Sequence, residues 1–237
     1  MKFLVFLIFC VNICFAQNIT GTAYYKKELK SQKFDVNSNK DIHNMISKAS
    51  ESLIFELFFD KSVAIFLQQK KIYHDKKSKL ISKLGAFGAS GIVYTDIDNS
   101  SLIYQKNLGG ETFLINYSFP YFKWELINET NKIGKFLCYK ALHTEDYIDK
   151  NGREGKKIVT AWYTPEIPTS FGPHIYGGLP GLIVELDNGM QVFRLTKIKF
   201  TNEKNGKLKK PIKGLKVNKN EYDKIVKEML NERLGRN

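Results

Sequence analysis

The stretch IVYTDIDNSSLIYQKNLGGETFLINY, residues 92–117, indicates an antiparallel β fold. It holds three short segments rich in β-branched and aromatic residues, and the turn residues Asp98-Asn99 and Leu108-Gly109-Gly110 separate them. Segments of the same kind continue as far as KKIVTAWYT at 156–164. Short strands at this spacing predict a mainly β protein with a curved antiparallel sheet or a partial barrel.

Hairpins are expected on both sides of that stretch. The apolar segments 52–60 and 62–69 meet at Asp60-Lys61, which we interpret as a tight turn. Residues 182–201 form a second pair, with Asp187-Asn188-Gly189 as the turn. Further turns are expected at Asn151 to Gly155 and at Glu129 to Lys132.

Two helices are predicted, near 40–51 and 220–234. In the first, Ile42, Met45, Ile46 and Ala49 fall on one helical face. The second is amphipathic, and one face carries Tyr222, Ile225, Val226, Met229, Leu230 and Arg233. The Lys- and Gly-rich residues 70–91 are expected to form a loop, and 204–219 a basic connector. Because no segment resembles a linker between two domains, we expect residues 17–237 to form a single β-rich domain that ends in a helix.

Residues 1–16, MKFLVFLIFCVNICFA, resemble a signal peptide. Lys2 precedes a short apolar run, and the small residue Ala16 stands before the polar Gln17. We therefore expect export and cleavage after Ala16, which would place the protein in the periplasm, at the outer membrane or outside the cell; the alternative is that the segment is retained as an N-terminal anchor. Cleavage would leave Cys138 as the single cysteine, and its alternating apolar surroundings predict a buried residue in a strand.

The charge is strongly basic. The chain has 37 basic and 24 acidic residues, a net charge of +13, and only four of the basic residues are arginine. Lysine lacks the planar fork that reads bases or binds phosphate in a bidentate way, so we expect no nucleic-acid partner. Lysines keep a protein soluble, and they also attract it to an anionic membrane surface.

The segment AWYTPEIPTSFGPHIYGGLPGLIVELD, residues 161–187, differs from the rest of the chain. Its prolines and glycines predict a long, stiff crossing that needs unusual backbone angles or close approach at several points. The predicted structural signature consists of Trp162, Tyr163, Pro168, Gly172, Pro173, Gly177, Gly178, Leu179, Pro180, Gly181, Leu182 and Ile183.

Within this segment, GGLPGLI at 177–183 resembles the signature of the GLPGLI family, secreted proteins typical of Bacteroidetes. The flanking Trp162-Tyr163, Ile167-Pro168 and Gly172-Pro173 match the pattern of that family as well. The resemblance implies an exported, strand-rich protein of the cell envelope. Because the function of that family is uncharacterised, no catalytic residue is carried over.

The crossing has no established catalytic or cofactor motif. Its glycines do not follow a nucleotide-binding spacing, and Pro180 removes a backbone N–H from any phosphate cradle. The histidines lack zinc-site spacing, so neither a metal nor a cofactor is expected. His174 and Tyr176 are the candidate ligand contacts. Glu185 and Asp187 share a strand face, where we interpret them as structural or solvated.

The predicted fold is compatible with three kinds of function. We expect a non-enzymatic binding module for an apolar ligand or a partner protein of the envelope, because a curved sheet beside a helix can hold a lipid tail or an extended peptide. The alternative is a secreted hydrolase, or a hydrolase accessory domain, that uses His174 and nearby hydroxyls. A third reading is a structural partner of an outer-membrane assembly.

Overall fold

A computed structural model describes residues 19–30, 40–148, 154–202 and 206–233. The predicted signal peptide at 1–16 lies outside this part of the chain. The strands are β1 Thr20–Leu29, β2 Ile54–Phe59, β3 Val63–Gln68, β4 Ile92–Asp96, β5 Ser101–Leu108, β6 Glu111–Ser118, β7 Glu125–Ile133, β8 Phe136–Ile148, β9 Glu154–Thr164, β10 Leu182–Asp187, β11 Gln191–Thr201 and β12 Leu215–Asn218. The helices are α1 Lys40–Glu51, α2 Lys76–Gly85 and α3 Lys219–Arg233.

Within the described residues, twelve strands form one open sheet in the order β12-β6-β5-β4-β3-β2-β1-β11-β10-β9-β8-β7. The protein is therefore mainly β, as the sequence predicts. The hairpins of β2 with β3 and of β10 with β11 are confirmed, and the helices predicted near 40–51 and 220–234 are present. At the first turn, Asp60 Oδ1 accepts hydrogen bonds from the backbone N–H groups of Ser62 and Val63.

Four details of the sequence interpretation are wrong. The sheet is mixed, because β12 pairs with β6 in parallel. This strand lies in the segment that we had expected to be a connector. Part of the expected loop 70–91 is helix α2, so the described chain has three helices instead of two. The turn expected at Glu129 to Lys132 lies at Gly134-Lys135, because a bulge lets β7 continue through these residues to Ile133.

The main core lies on one face of the sheet, where the central strands carry large aromatic side chains. Phe55 and Phe66 stack with their ring centroids 5.6 Å apart, and Phe193 packs edge-on against both rings. The adjacent Phe58 and Phe59 point to opposite faces of β2, yet both are buried. On the outer face, Lys207 Nζ lies 4.2 Å from the centroid of the Phe58 ring. The centre of the sheet is therefore covered on both sides.

The helices lie near different parts of the sheet. Helix α1 packs against α2 and contacts β1, whereas α3 contacts β12 and β6. The close approach of α1 and α2 depends on Gly85, where a Cβ atom would lie 2.8 Å from the backbone nitrogen of Ser50. No helix among the described residues is long and apolar enough to span a bilayer.

Candidate functional site

The crossing between β9 and β10, which we call the signature loop (residues 165–181), packs onto the core. Its side chains Ile167, Phe171 and Leu179 are buried. Its backbone pairs with the start of β10, since Leu182 N–H donates to Ile167 O at 3.1 Å and Ile183 N–H donates to Phe171 O at 3.2 Å. A further hydrogen bond, from Gly178 N–H to Ser170 O at 2.7 Å, closes the loop on itself. The loop is thus a fixed layer over the sheet.

Gly178 and Gly181 stand at positions of the signature loop that have no room for a larger residue. Gly178 adopts a φ of +89°, and a Cβ atom on it would lie 2.5 Å from Pro120 Cβ. At Gly181 a Cβ atom would lie 2.3 Å from the carbonyl oxygen of Thr164, which is backbone and cannot swing away. Both positions therefore need glycine for close approach, and Gly178 also needs it for its backbone angle.

The predicted signature residues divide between the core and the surface. Buried members are Tyr163, Gly172, Pro173, Gly177, Leu179, Gly181, Leu182 and Ile183. Pro168 and Pro180 are exposed, and Trp162 is half-buried. Lys140 Nζ lies 5.6 Å from the Trp162 ring, on the face of the sheet opposite to Tyr163.

His174 is buried at its ring and faces the core. Its φ is +57°, and its ring packs edge-on against Tyr104 with the centroids 4.8 Å apart. Nε2 is buried and has no hydrogen-bond partner among the described residues. Burial, with a smaller contribution from the charges of Lys106 and Lys27, lowers the pKa of His174 to about 3. A histidine without a hydroxyl or carboxylate at Nε2 lacks the geometry of a general base in a hydrolase.

A buried lysine near His174 is a feature that the sequence analysis missed. Lys27 has 0% exposure, and its Nζ donates to the carbonyl oxygen of Phe87 at 2.7 Å. Burial lowers the pKa of Lys27 to about 7. The signal was the alternation along β1, since Ala23 and Tyr25 face the core and Lys27 continues their side of the strand.

The signature loop contributes two residues to an open cleft of about 560 Å³. The cleft is lined by Tyr121, Phe122, Lys123, His143, Thr144, Glu145, Asp146, Ile175, Tyr176 and Lys219. Of the two candidate ligand contacts, Tyr176 lines this cleft, whereas His174 does not. The segment before β7, residues 121–123, had given no signal in the sequence, because only the fold brings it against the loop.

An aromatic cluster forms the floor of this cleft. The rings of Phe122 and Tyr176 stack with centroids 4.5 Å apart, and His143 packs against Phe122 at 5.0 Å. Trp124 Nε1–H donates to the carbonyl oxygen of Gly177 at 2.9 Å, and this bond ties the cluster to the loop. The Tyr176 hydroxyl accepts a hydrogen bond from the side-chain amide of Asn188 at 3.4 Å. Burial raises the pKa of Tyr176 above its ordinary value.

The rim of the cleft carries both signs of charge. Glu145 pairs with Lys157 at 2.6 Å, and Lys219 pairs with Asp223. Lys123 and Asp146 are exposed on the same rim. An aromatic floor between charges of both signs can hold an apolar side chain and orient the polar groups that flank it.

Other reactive side chains of the described chain have structural surroundings. Cys138 is buried on β8, as the sequence predicts, and burial raises the pKa of its thiol to about 11, so the reactive thiolate is scarce. Glu185 and Asp187 each form an ion pair, with Arg194 and Lys30 respectively. No group of three His, Cys, Asp or Glu side chains within the described ranges is arranged to hold a metal ion.

A comparison with protein families matches a stretch that includes the signature loop. Residues 143–185, from β8 through the signature loop to β10, match a family described as "Protein of unknown function (Porph_ging)". No curated protein matches the chain.

Among solved structures, the chain is similar to PNGF-II in its P21 and C2 crystal forms, with TM-scores of 0.52 and 0.54. The identities are 16% and 14%, and the match covers 88% of this chain. It covers 33% and 32% of the PNGF-II chains, so this chain spans about a third of their length. At these identities the likeness shows the fold.

Proposed function

We propose that this protein is an exported cell-envelope binding module, and that the cleft beside the signature loop takes an apolar side chain of a partner protein. The aromatic floor built from Phe122 and Tyr176 carries this proposal. The GLPGLI-like signature and the signal-like residues 1–16 support export to the periplasm or outer membrane. In this proposal residues 17–237 fold as a single domain whose sheet curves around its core face.

A protein partner fits the cleft better than a lipid tail. The cleft is open to solvent, and its rim holds Lys123, Glu145, Asp146 and Lys219 within reach of a ligand. A lipid tail gains affinity by complete enclosure in apolar walls, whereas a peptide segment can satisfy charges of both signs. An aromatic or aliphatic side chain between flanking charges is therefore the ligand that this geometry favours.

The hydrolase alternative has less support from the geometry. It needs His174 to meet a hydroxyl or carboxylate at the floor of a pocket. The Nε2 atom of His174 is buried against aromatic rings without such a partner, and its low pKa of about 3 makes the ring a weak base for taking a proton from a hydroxyl.

Site-specific photo-crosslinking in the envelope of cells that make the protein tests the proposal. A photoreactive amino acid at Ile175, on the cleft, should join the chain to a partner protein, whereas one at the exposed Ile158 of β9 should not. The same preparation tests export. Mass spectrometry of the N-terminal peptide should find a chain that begins at Gln17, as cleavage after Ala16 would leave it. A peptide copied from the cross-linked segment should bind the purified protein, and Tyr121→Ala or Ile175→Asp should weaken it about tenfold. Ile158→Asp is the matched control.

Two outcomes contradict the proposal. Equal cross-linking from Ile175 and Ile158 would show that the cleft has no preferred partner. Cross-linking of a lipid instead of a protein at Ile175 would assign the cleft to an apolar small ligand.

A further inference from the structure

Helix α2 and the residues around it form a basic and apolar surface that the proposed function does not use. Residues 70–87 contain six lysines and one acidic residue, Asp75. That carboxylate is the N-cap of α2 and accepts a hydrogen bond from Ser78 N–H at 2.8 Å. The six lysines are all exposed: Lys70, Lys71, Lys76, Lys77, Lys79 and Lys83.

The same surface exposes large apolar side chains. Leu80 is 58% exposed, Leu84 39% and Phe87 66%. Ile72, just before the helix, is 85% exposed. We call Leu80, Leu84 and Phe87 together with the six lysines the α2 surface; Ile72 is not part of it, because it lies beside Ser78 and Ser82 on the other side of the helix. Clustered exposed apolar side chains are typical of a surface that a partner or a membrane covers.

The order of residues along α2 brings the two kinds of side chain together. At 3.6 residues per turn, Leu80 and Leu84 are neighbours on one face. Lys76 and Lys83 flank this apolar pair on one side, and Lys77 flanks it on the other. An apolar ridge with long cationic side chains on both sides matches a bilayer interface, where the ridge enters the acyl boundary and the ammonium groups meet lipid phosphates.

Contacts beneath the helix hold this surface in place. Gly85 lets α2 approach α1 closely, and Gln68 donates to Ser82 Oγ at 3.4 Å. The buried Lys27 ammonium holds the carbonyl of Phe87, and Gln191 donates to the carbonyl of Gly88 at 3.2 Å. The body of the protein therefore anchors the side of α2 that faces inward, and the ridge faces outward without the entropic cost of folding on contact.

We propose that the α2 surface docks the protein onto a bilayer that contains anionic phospholipids, with Leu80, Leu84 and Phe87 inserted and the flanking lysines on the phosphates. The charge complementarity of six lysines with an anionic lipid surface selects this partner. The protein lies on the membrane through this surface, and the cleft beside the signature loop is a separate site.

Co-sedimentation of the full chain with vesicles tests this inference. Vesicles of equal parts phosphatidylglycerol and phosphatidylcholine should bind the protein, and vesicles of phosphatidylcholine alone should bind it far more weakly. Combining Lys76→Gln, Lys77→Gln and Lys83→Gln should weaken binding about a hundredfold. The matched control combines Lys209→Gln, Lys213→Gln and Lys216→Gln, which removes the same charge at exposed positions elsewhere and should have a small effect.

The apolar ridge has its own test and control. Leu80→Ser with Phe87→Ser should weaken binding about tenfold or more, whereas Ile212→Ser, at a residue 85% exposed elsewhere, should not. In a second measurement, the emission that Phe87→Trp adds to that of the parent chain, which already contains Trp124 and Trp162, should shift to the blue with anionic vesicles, and the emission that Ile212→Trp adds should not. Circular dichroism checks that each variant is folded.

Three results would overturn the inference. Equal loss of vesicle binding in the two triple-lysine variants would show that the net charge of the protein, and not the α2 surface, causes the binding. An unshifted Phe87→Trp emission would show that the ridge stays in water. Binding of a DNA duplex by the α2 lysines, without binding of vesicles, would assign the surface to nucleic acid.

Discussion

At the scale of single residues, burial of Lys27 is the least expected feature. A lysine is seldom buried without an acidic partner. Here its Nζ donates a hydrogen bond to the carbonyl oxygen of Phe87, in the segment that follows α2. Lys27 therefore links β1 to the end of that helix. The charged form is disfavoured, which is why its pKa falls to about 7.

Stability should therefore rise with pH through Lys27. Above pH 7 the folded protein releases this proton while the unfolded chain keeps it up to its ordinary pKa of 10.5, so the unfolded state binds more protons. Between pH 6.5 and 9.5 we expect a gain of about 3 kcal/mol in the free energy of unfolding. Urea denaturation at the two pH values measures it.

Lys27→Met should remove this gain, and Lys26→Met, at the exposed neighbour on the same strand, should retain it. A pH dependence that survives in Lys27→Met would mean that other groups cause it.

At the scale of elements, the signature loop is an example of backbone packed against backbone. Gly178→Val and Gly181→Val should each lower the free energy of unfolding by about 1–3 kcal/mol, because a Cβ atom collides with Pro120 or with the backbone of Thr164. Thermal denaturation measures the loss. Gly206→Val is the control, since a Cβ atom there meets nothing within 4 Å. Normal stability in both loop variants together with loss of partner binding would show that the glycines serve recognition.

Local sequence patterns predicted some elements and missed others for physical reasons. The hairpin at 182–201 was predictable because its pairing is local and its turn residues are distinctive. Helix α2 was missed because the glycines after it and the dense lysines resemble a loop, although Asp75 is a good N-cap. The parallel pairing of β12 with β6 was not predictable, because it joins segments far apart in sequence.

The candidate site was predictable only in part. Tyr176 lay within a distinctive segment, and it lines the cleft. The residues that complete the cleft, Phe122 and His143 among them, lie in ordinary-looking stretches, and only the tertiary fold brings them to the loop. His174 carried no sequence mark of its inward orientation, because that orientation depends on a positive φ within the loop.

At the scale of the whole molecule, we expect the protection of backbone amides from hydrogen exchange to be uneven across the sheet. The central strands β1, β2 and β3 contain fully buried side chains, whereas β7 is an exposed edge strand. Hydrogen exchange followed by mass spectrometry should find the slowest amides in β1 and β2 and the fastest strand amides in β7. Similar rates in β7 and β1 would contradict this distribution of stability.

The place of β1 in the sheet has a consequence for folding. This strand lies near the start of the described chain, yet one of its two neighbours is β11, so the backbone groups of β1 on that side, around Tyr25, stay unpaired until Leu195 and its neighbours arrive. Until β11 pairs, a partly folded chain has an open strand edge that invites pairing with other chains. Such long-range closure is slow, so a folding chain of this kind gains from a chaperone that shields the edge until β11 pairs.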